Sequence, residues 1–89
     1  MLLTLHILKI GSGVYRARVM EGAVHLGDYE ATKIRECILL ASENPLPDLT
    51  GFHLWYEHVC AGIVTADEMR EAAEELADRL VALHGLFSA

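Results

Sequence analysis

The sequence predicts an α+β domain, a three-stranded antiparallel β-meander followed by three α-helices packed on one face of the sheet. Three observations carry that expectation. Apolar and polar residues alternate with period two through residues 1–29. Glycines interrupt that run at Gly11, Gly13 and Gly22. Beyond residue 30 the apolar spacing becomes helical, and a helix-capping sequence stands at Thr65.

In the first strand, Leu3, Leu5 and Ile7 alternate with Thr4 and His6. Gly11-Ser12-Gly13 reads as a tight hairpin turn, since glycine tolerates the positive φ that such a turn requires. It lacks the Lys-Ser/Thr ending of a phosphate-binding loop, and Ser12 has no nucleophile-elbow spacing around it. A second strand is expected from Val14 to Met20, a turn at Glu21-Gly22, and a third strand from Ala23 to Tyr29. Pairing Ile10 with Val14 sets Ile7 opposite Ala17 and Leu5 opposite Val19. Pairing Met20 with Ala23 sets Val19 opposite Val24 and Ala17 opposite Leu26. One face then reads Leu5–Val19–Val24 and Ile7–Ala17–Leu26, with Lys9–Tyr15–Asp28 at the rim. The other reads His6–Arg18–His25 and Leu8–Arg16–Gly27.

Ile34, Cys37, Ile38 and Ala41 place a helix over residues 31–43, stopped by Asn44 and Pro45, with Pro45-Leu46-Pro47 as a stiff connector. Phe52, Trp55, Tyr56, Val59 and Ile63 follow helical spacing, so residues 49–61 are expected to be a second helix with Gly62 as its left-handed cap. The aromatic content from Phe52 to Val59 also suits a strand. In the last helix Thr65-Ala66-Asp67-Glu68 forms a capping box, and Asp67 and Glu68 complement the positive end of the helix dipole. Met69, Ala73, Leu76, Leu80, Leu83 and Phe87 then follow heptad-like spacing, and Gly85 is expected to end the helix. This stripe packs either on the chain's own sheet or as a dimer seam through Met69, Leu76, Leu80, Leu83 and Phe87.

The 89 residues are expected to form a single domain, with the sheet in 1–29 and the helical part in 30–89. A chain of this length that is 53% hydrophobic has more apolar surface than one small core covers, which points to a homodimer. Two cysteines, Cys37 and Cys60, are too few for a disulfide framework and suit reduced thiols in the cytoplasm. No apolar run is long enough for a transmembrane helix, and the opening ten residues lack the basic start and cleavage site of a signal peptide.

Net charge is −6, unevenly distributed. Residues 1–29 hold three basic and two acidic side chains, net +1; residues 30–89 hold four basic and eleven acidic, net −7. His6, Arg16, Arg18 and His25 therefore form the one basic patch expected, a binding face for a protein partner or for DNA. His53, Glu57 and Cys60 would share a helical face and are metal-ligand types, but without a second anchored pair they do not define a metal site. His58 and His84 read as isolated surface residues. No nucleophile–base set or close carboxylate pair can be assembled, so no catalytic residue and no cofactor is expected. These features describe a small non-catalytic interaction protein, a regulator or inhibitor of the kind mobile elements carry, acting through protein–protein contacts and self-association.

Tyr15-Arg16-Ala17-Arg18-Val19, Gly22 and His25-Leu26-Gly27-Asp28-Tyr29 followed by a helix resemble the Apetala/ethylene-response-factor type of DNA-binding domain over residues 13–41. That resemblance implies a three-stranded sheet on one helix, with the exposed sheet face in the DNA major groove. Arg16, Arg18 and His25 would then contact bases or phosphates. The second turn is shorter than is usual in that family, and Arg35 and Glu36 stand near its paired alanines. A net charge of −6 also opposes phosphate attraction.

Overall fold

In the computed structural model, which describes residues 1–43 and 48–87, the chain forms one five-stranded mixed sheet and three helices. The elements are β1 (Leu2–Gly11), β2 (Val14–Glu21), β3 (Val24–Ala31), α1 (Ile34–Ser42), β4 (Gly51–Tyr56), β5 (Val59–Val64), α2 (Ala66–Glu71) and α3 (Ala73–Phe87). Strand order is β3-β2-β1-β4-β5, so β1 lies at the centre. The expected meander is present as β1–β3. It makes up three strands of a larger sheet that β4 and β5 complete.

The expected helix over 49–61 is a β-hairpin. Phe52, Leu54 and Tyr56 are buried, while His53 and Trp55 between them are partly exposed, a period-two pattern. The helical stripe drawn through Phe52, Trp55, Tyr56, Val59 and Ile63 left out Leu54, which is fully buried, and included Ile63, which is 60% exposed. What decides the conformation is pairing: β4 runs parallel to β1, setting Leu54 beside Leu5, Phe52 beside Leu3 and Tyr56 beside Ile7. Gly62 does have positive φ, at 97°, but it sits in β5 where the β4–β5 pairing shifts register, not at a helix end.

From Thr4 to Lys9 the β1–β2 register is as expected, with Leu5 opposite Val19 and Ile7 opposite Ala17, but a shift after Lys9 sets Gly11, not Ile10, opposite Val14. The β2–β3 register is not as expected. Ala17 faces Tyr29, Val19 faces Gly27, and pairing shifts between Val19 and Met20. Relative to the expected register the slip is odd, so β3 turns over. Tyr29 moves to the core side, where its hydroxyl donates to the Cys37 carbonyl of α1, and Asp28 and Glu30 move to the face carrying the arginines. Val24 and Leu26 are left exposed in exchange. Continuation of β3 through Ala31, which pairs with Tyr15, also delays α1 to Ile34. The proposed stop at Asn44-Pro45 and the connector Pro45-Leu46-Pro47 lie outside the described residues.

The expected last helix is two. At the Thr65 cap, Oγ1 accepts the Glu68 N–H at 3.1 Å, and the Thr65 hydroxyl donates to the Glu68 carboxylate at 3.2 Å. Backbone geometry breaks at Ala72, separating α2 from α3. Gly85 does not end α3, which runs to Phe87. Met69, Ala73, Leu76, Ala77 and Leu80 are buried with Leu5, Ile7, Leu54, Cys37 and Ile38 in one cluster. The dimer seam therefore does not stand: Met69, Leu76 and Leu80 are consumed by the chain's own core, Leu83 packs at its edge, and the Phe87 side chain lies outside the described ones. Burial pushes the Cys37 thiol up to about 11. No helix among the described residues is long and apolar enough to cross a membrane.

Two glycines test this packing with opposite signs. A Cβ on Gly51 would lie 2.7 Å from the Val64 carbonyl oxygen, a backbone atom, whereas one on Gly85 would meet nothing within 4 Å. Gly51→Ala is expected to destabilise by about 1–3 kcal/mol, and Gly85→Ala to stabilise by about 0.5 kcal/mol, both read from urea unfolding. A Gly51→Ala protein as stable as its parent would contradict the close β4–β5 approach.

Candidate functional site

All buried side chains of the sheet project to one side, toward the helices. The alternate positions form a second face on which none of the helices among the described residues rests. Strand pairing orders it into rows. One row is Cys60–Trp55–His6–Arg18–Asp28, spanning all five strands. A second is Ile63–His53–Thr4–Met20–His25, and a shorter third is Leu8–Arg16–Glu30.

This arrangement keeps Arg16, Arg18 and His6 on one open face, as expected, and corrects their neighbours. The row written His6–Arg18–His25 is His6–Arg18–Asp28, and Leu8–Arg16–Gly27 is Leu8–Arg16–Glu30. Arg16 meets Glu30 at 3.0 Å and Arg18 meets Asp28 at 3.3 Å. His25 lies 2.7 Å from the same Asp28 oxygen. The patch is therefore not basic. Two arginines face two carboxylates, and the chain's whole −6 falls on the rest of the molecule. Opposite charges directly across strands stabilise the pairing modestly, being exposed.

His6 has a structural duty. Its Nε2 donates to the Glu57 carbonyl at 2.6 Å, and its ring stands edge-on to Trp55 with centroids 6.3 Å apart. Glu57 carries a φ of 53°, unfavourable for a side chain with a Cβ. Three bonds hold it there: the one from His6, its own N–H to the Ile7 carbonyl at 2.9 Å, and the Lys9 N–H to its carboxylate at 2.8 Å. The β4–β5 turn is thus tied to β1 on both sides.

His53, Glu57 and Cys60 do not assemble as a ligand set. Glu57 is occupied at the turn, and among the described residues no group of three His, Cys, Asp or Glu side chains is placed to hold a metal. Cys60 accepts the Gly62 N–H at 3.2 Å. His58 and His84, expected to be isolated, lie with ring centroids 5.3 Å apart, and His84 is 5.1 Å from Tyr56. Trp55 and Ile63 on the open face were missed because the face of β4 and β5 becomes visible only when residues 51–64 are read with period two; Met20, two residues from Arg18 on β2, shares its face by simple alternation. No family model matches this sequence, and neither a curated protein nor a solved structure is significantly similar to it.

The His25 hydrogen bond, with Arg18 adding to it, holds the Asp28 carboxyl below its ordinary range. A carboxylate depressed in the fold stabilises it above its unfolded pKa, and that contribution is lost as pH falls through the folded value. His25→Ala is expected to move the Asp28 titration, followed by carboxyl-carbon NMR, back up toward the ordinary range. An unchanged titration would show that the His25–Asp28 bond is absent in solution.

Proposed function

We propose that this is a small interaction protein that makes protein–protein contacts through the open face of its sheet. The observation carrying this reading is a face five strands wide, with no helix of the described residues on it, holding the chain's only tryptophan, Trp55, together with Met20, Leu8 and Ile63. Trp55 and Ile63 stand on β4 and β5, beside the charge-paired side chains of β2 and β3, and aromatic and aliphatic groups next to arginine are residue types that protein contact surfaces favour. Its charge is balanced while the rest of the molecule is acidic, so partners approach it without meeting the −6 of the remainder. A reducing, cytoplasmic setting suits the two free thiols, Cys37 and Cys60.

DNA is the competing occupant, favoured by the two arginines at alternate positions of β2. The ion pairs argue against it. A phosphate taking Arg16 or Arg18 must displace Glu30 or Asp28 and then remain beside the released carboxylate.

A contact surface, unlike a core, can be altered without unfolding the chain. Ile63→Lys and Met20→Lys are expected to change urea-unfolding stability by less than about 0.5 kcal/mol, whereas Leu54→Ala on the opposite face costs about 2–5 kcal/mol. If the open-face variants cost as much as Leu54→Ala, the face belongs to the core and the reading fails. Duplex DNA at about 50 mM salt is expected to leave Trp55 fluorescence unchanged. A salt-sensitive change lost in Arg16→Ala/Arg18→Ala would make DNA the occupant.

A further inference from the structure

We infer that the occupant of the open face is a second copy of this chain, packed face to face about a twofold axis lying along β1. The inference rests on the reading of that face as the contact surface. It follows from where the charges sit. Two copies approaching through their helical sides bring net −6 against net −6, and the open face is the surface on which that repulsion is least.

Symmetry narrows the geometry. A twofold axis relating two stacked sheets lies in the plane between them, either across the strands or along them. Across the strands, each strand covers its own copy. With that axis along the middle row, Arg18 would face Arg18 and Asp28 would face Asp28 of the second copy, which like-charge repulsion disfavours. Along the strands, full overlap requires the axis to follow the central strand, β1. Strand β2 then covers β4 of the second copy, and β3 covers β5. The row Cys60–Trp55–His6–Arg18–Asp28 meets its own reverse, placing Arg18 over Trp55 of the second copy, and this contact occurs twice. A guanidinium over an indole face is a favourable cation–π geometry. In the neighbouring row, Ile63 covers His25 and Met20 covers His53 of the second copy.

The size of the face sets the strength. Five strands at about 4.8 Å spacing and about seven residues at 3.3 Å rise give a flat area near 550 Å². Standard interfaces bury about 800 Å² per partner. Side-chain relief narrows the difference, and the dimer is expected to be reversible and of modest affinity.

Sedimentation velocity over about 10 μM to 1 mM tests it directly. The expected result is a concentration-dependent dimer. Trp55→Ala and Arg18→Ala should each weaken it about tenfold or more, Ile63→Lys should also weaken it, and Val81→Lys on exposed α3 should leave it intact. Urea unfolding of each variant confirms that the fold is retained. A chain that stays monomeric across this range overturns the second copy as occupant and leaves the open-face reading to its own stability test. A dimer that survives Trp55→Ala and Arg18→Ala but is lost in Val81→Lys overturns both.

Discussion

The parallel pairing of Leu2–Ile7 with Gly51–Tyr56 is the constraint from which the rest of the architecture follows. Parallel neighbours cannot be joined by a hairpin, so the chain between β3 and β4 must cross from one end of the sheet to the other, and α1 is part of that crossover. Crossing over one face commits that face to burial. Helix α1 packs against β1, β2 and β3 there, and α2 and α3 join it, with α3 covering β4 and β5. Leu5, Ile7 and Leu54, all fully buried, lie where the pairing and the helical layer meet. The Glu57 turn fastens the end of this pair: a residue in left-handed geometry is kept in place by bonds from His6, from Lys9 and to Ile7.

With all three described helices on one face, the other carries none of them, and the same register decides what it displays. Because β3 is turned over relative to the simplest hairpin alignment, acids stand across from Arg16 and Arg18, and Tyr29 is spent on α1. One registration thus fills the core and neutralises the open face. The asymmetry of charge in the sequence becomes an asymmetry between a balanced sheet face and acidic helices.

Much of the core was legible in the sequence. The alternation of Leu3, Leu5 and Ile7, the hairpin at Gly11–Gly13 and the cap at Thr65 are local signals, and each appears where its chemistry places it. What was not legible depends on contacts distant in sequence. Residues 51–64 satisfy helical spacing at five positions, and only the burial of Leu54 against Leu5, 49 residues earlier, selects the strand. The stripe Met69–Leu76–Leu80 is recognisable as an apolar seam suited to the chain's own sheet or to a second copy, and only the presence of β4 and β5, which α3 covers, decides for the sheet. Arg16, Arg18 and His6 were correctly gathered onto one face. Their apparent positive charge vanished because short-turn geometry does not determine a register that Tyr29 and two cross-strand ion pairs can shift.

The central claim is that the uncovered sheet face is where this protein makes its contacts, with a second copy as occupant. Hydroxyl-radical footprinting at low and high protein concentration addresses it residue by residue, because Trp55 and Met20 on the open face are readily oxidised. Concentration is expected to protect Trp55 and Met20 while leaving Leu86, at the exposed end of α3, as reactive as before. Protection of α3 with no change at Trp55 and Met20 would contradict the account.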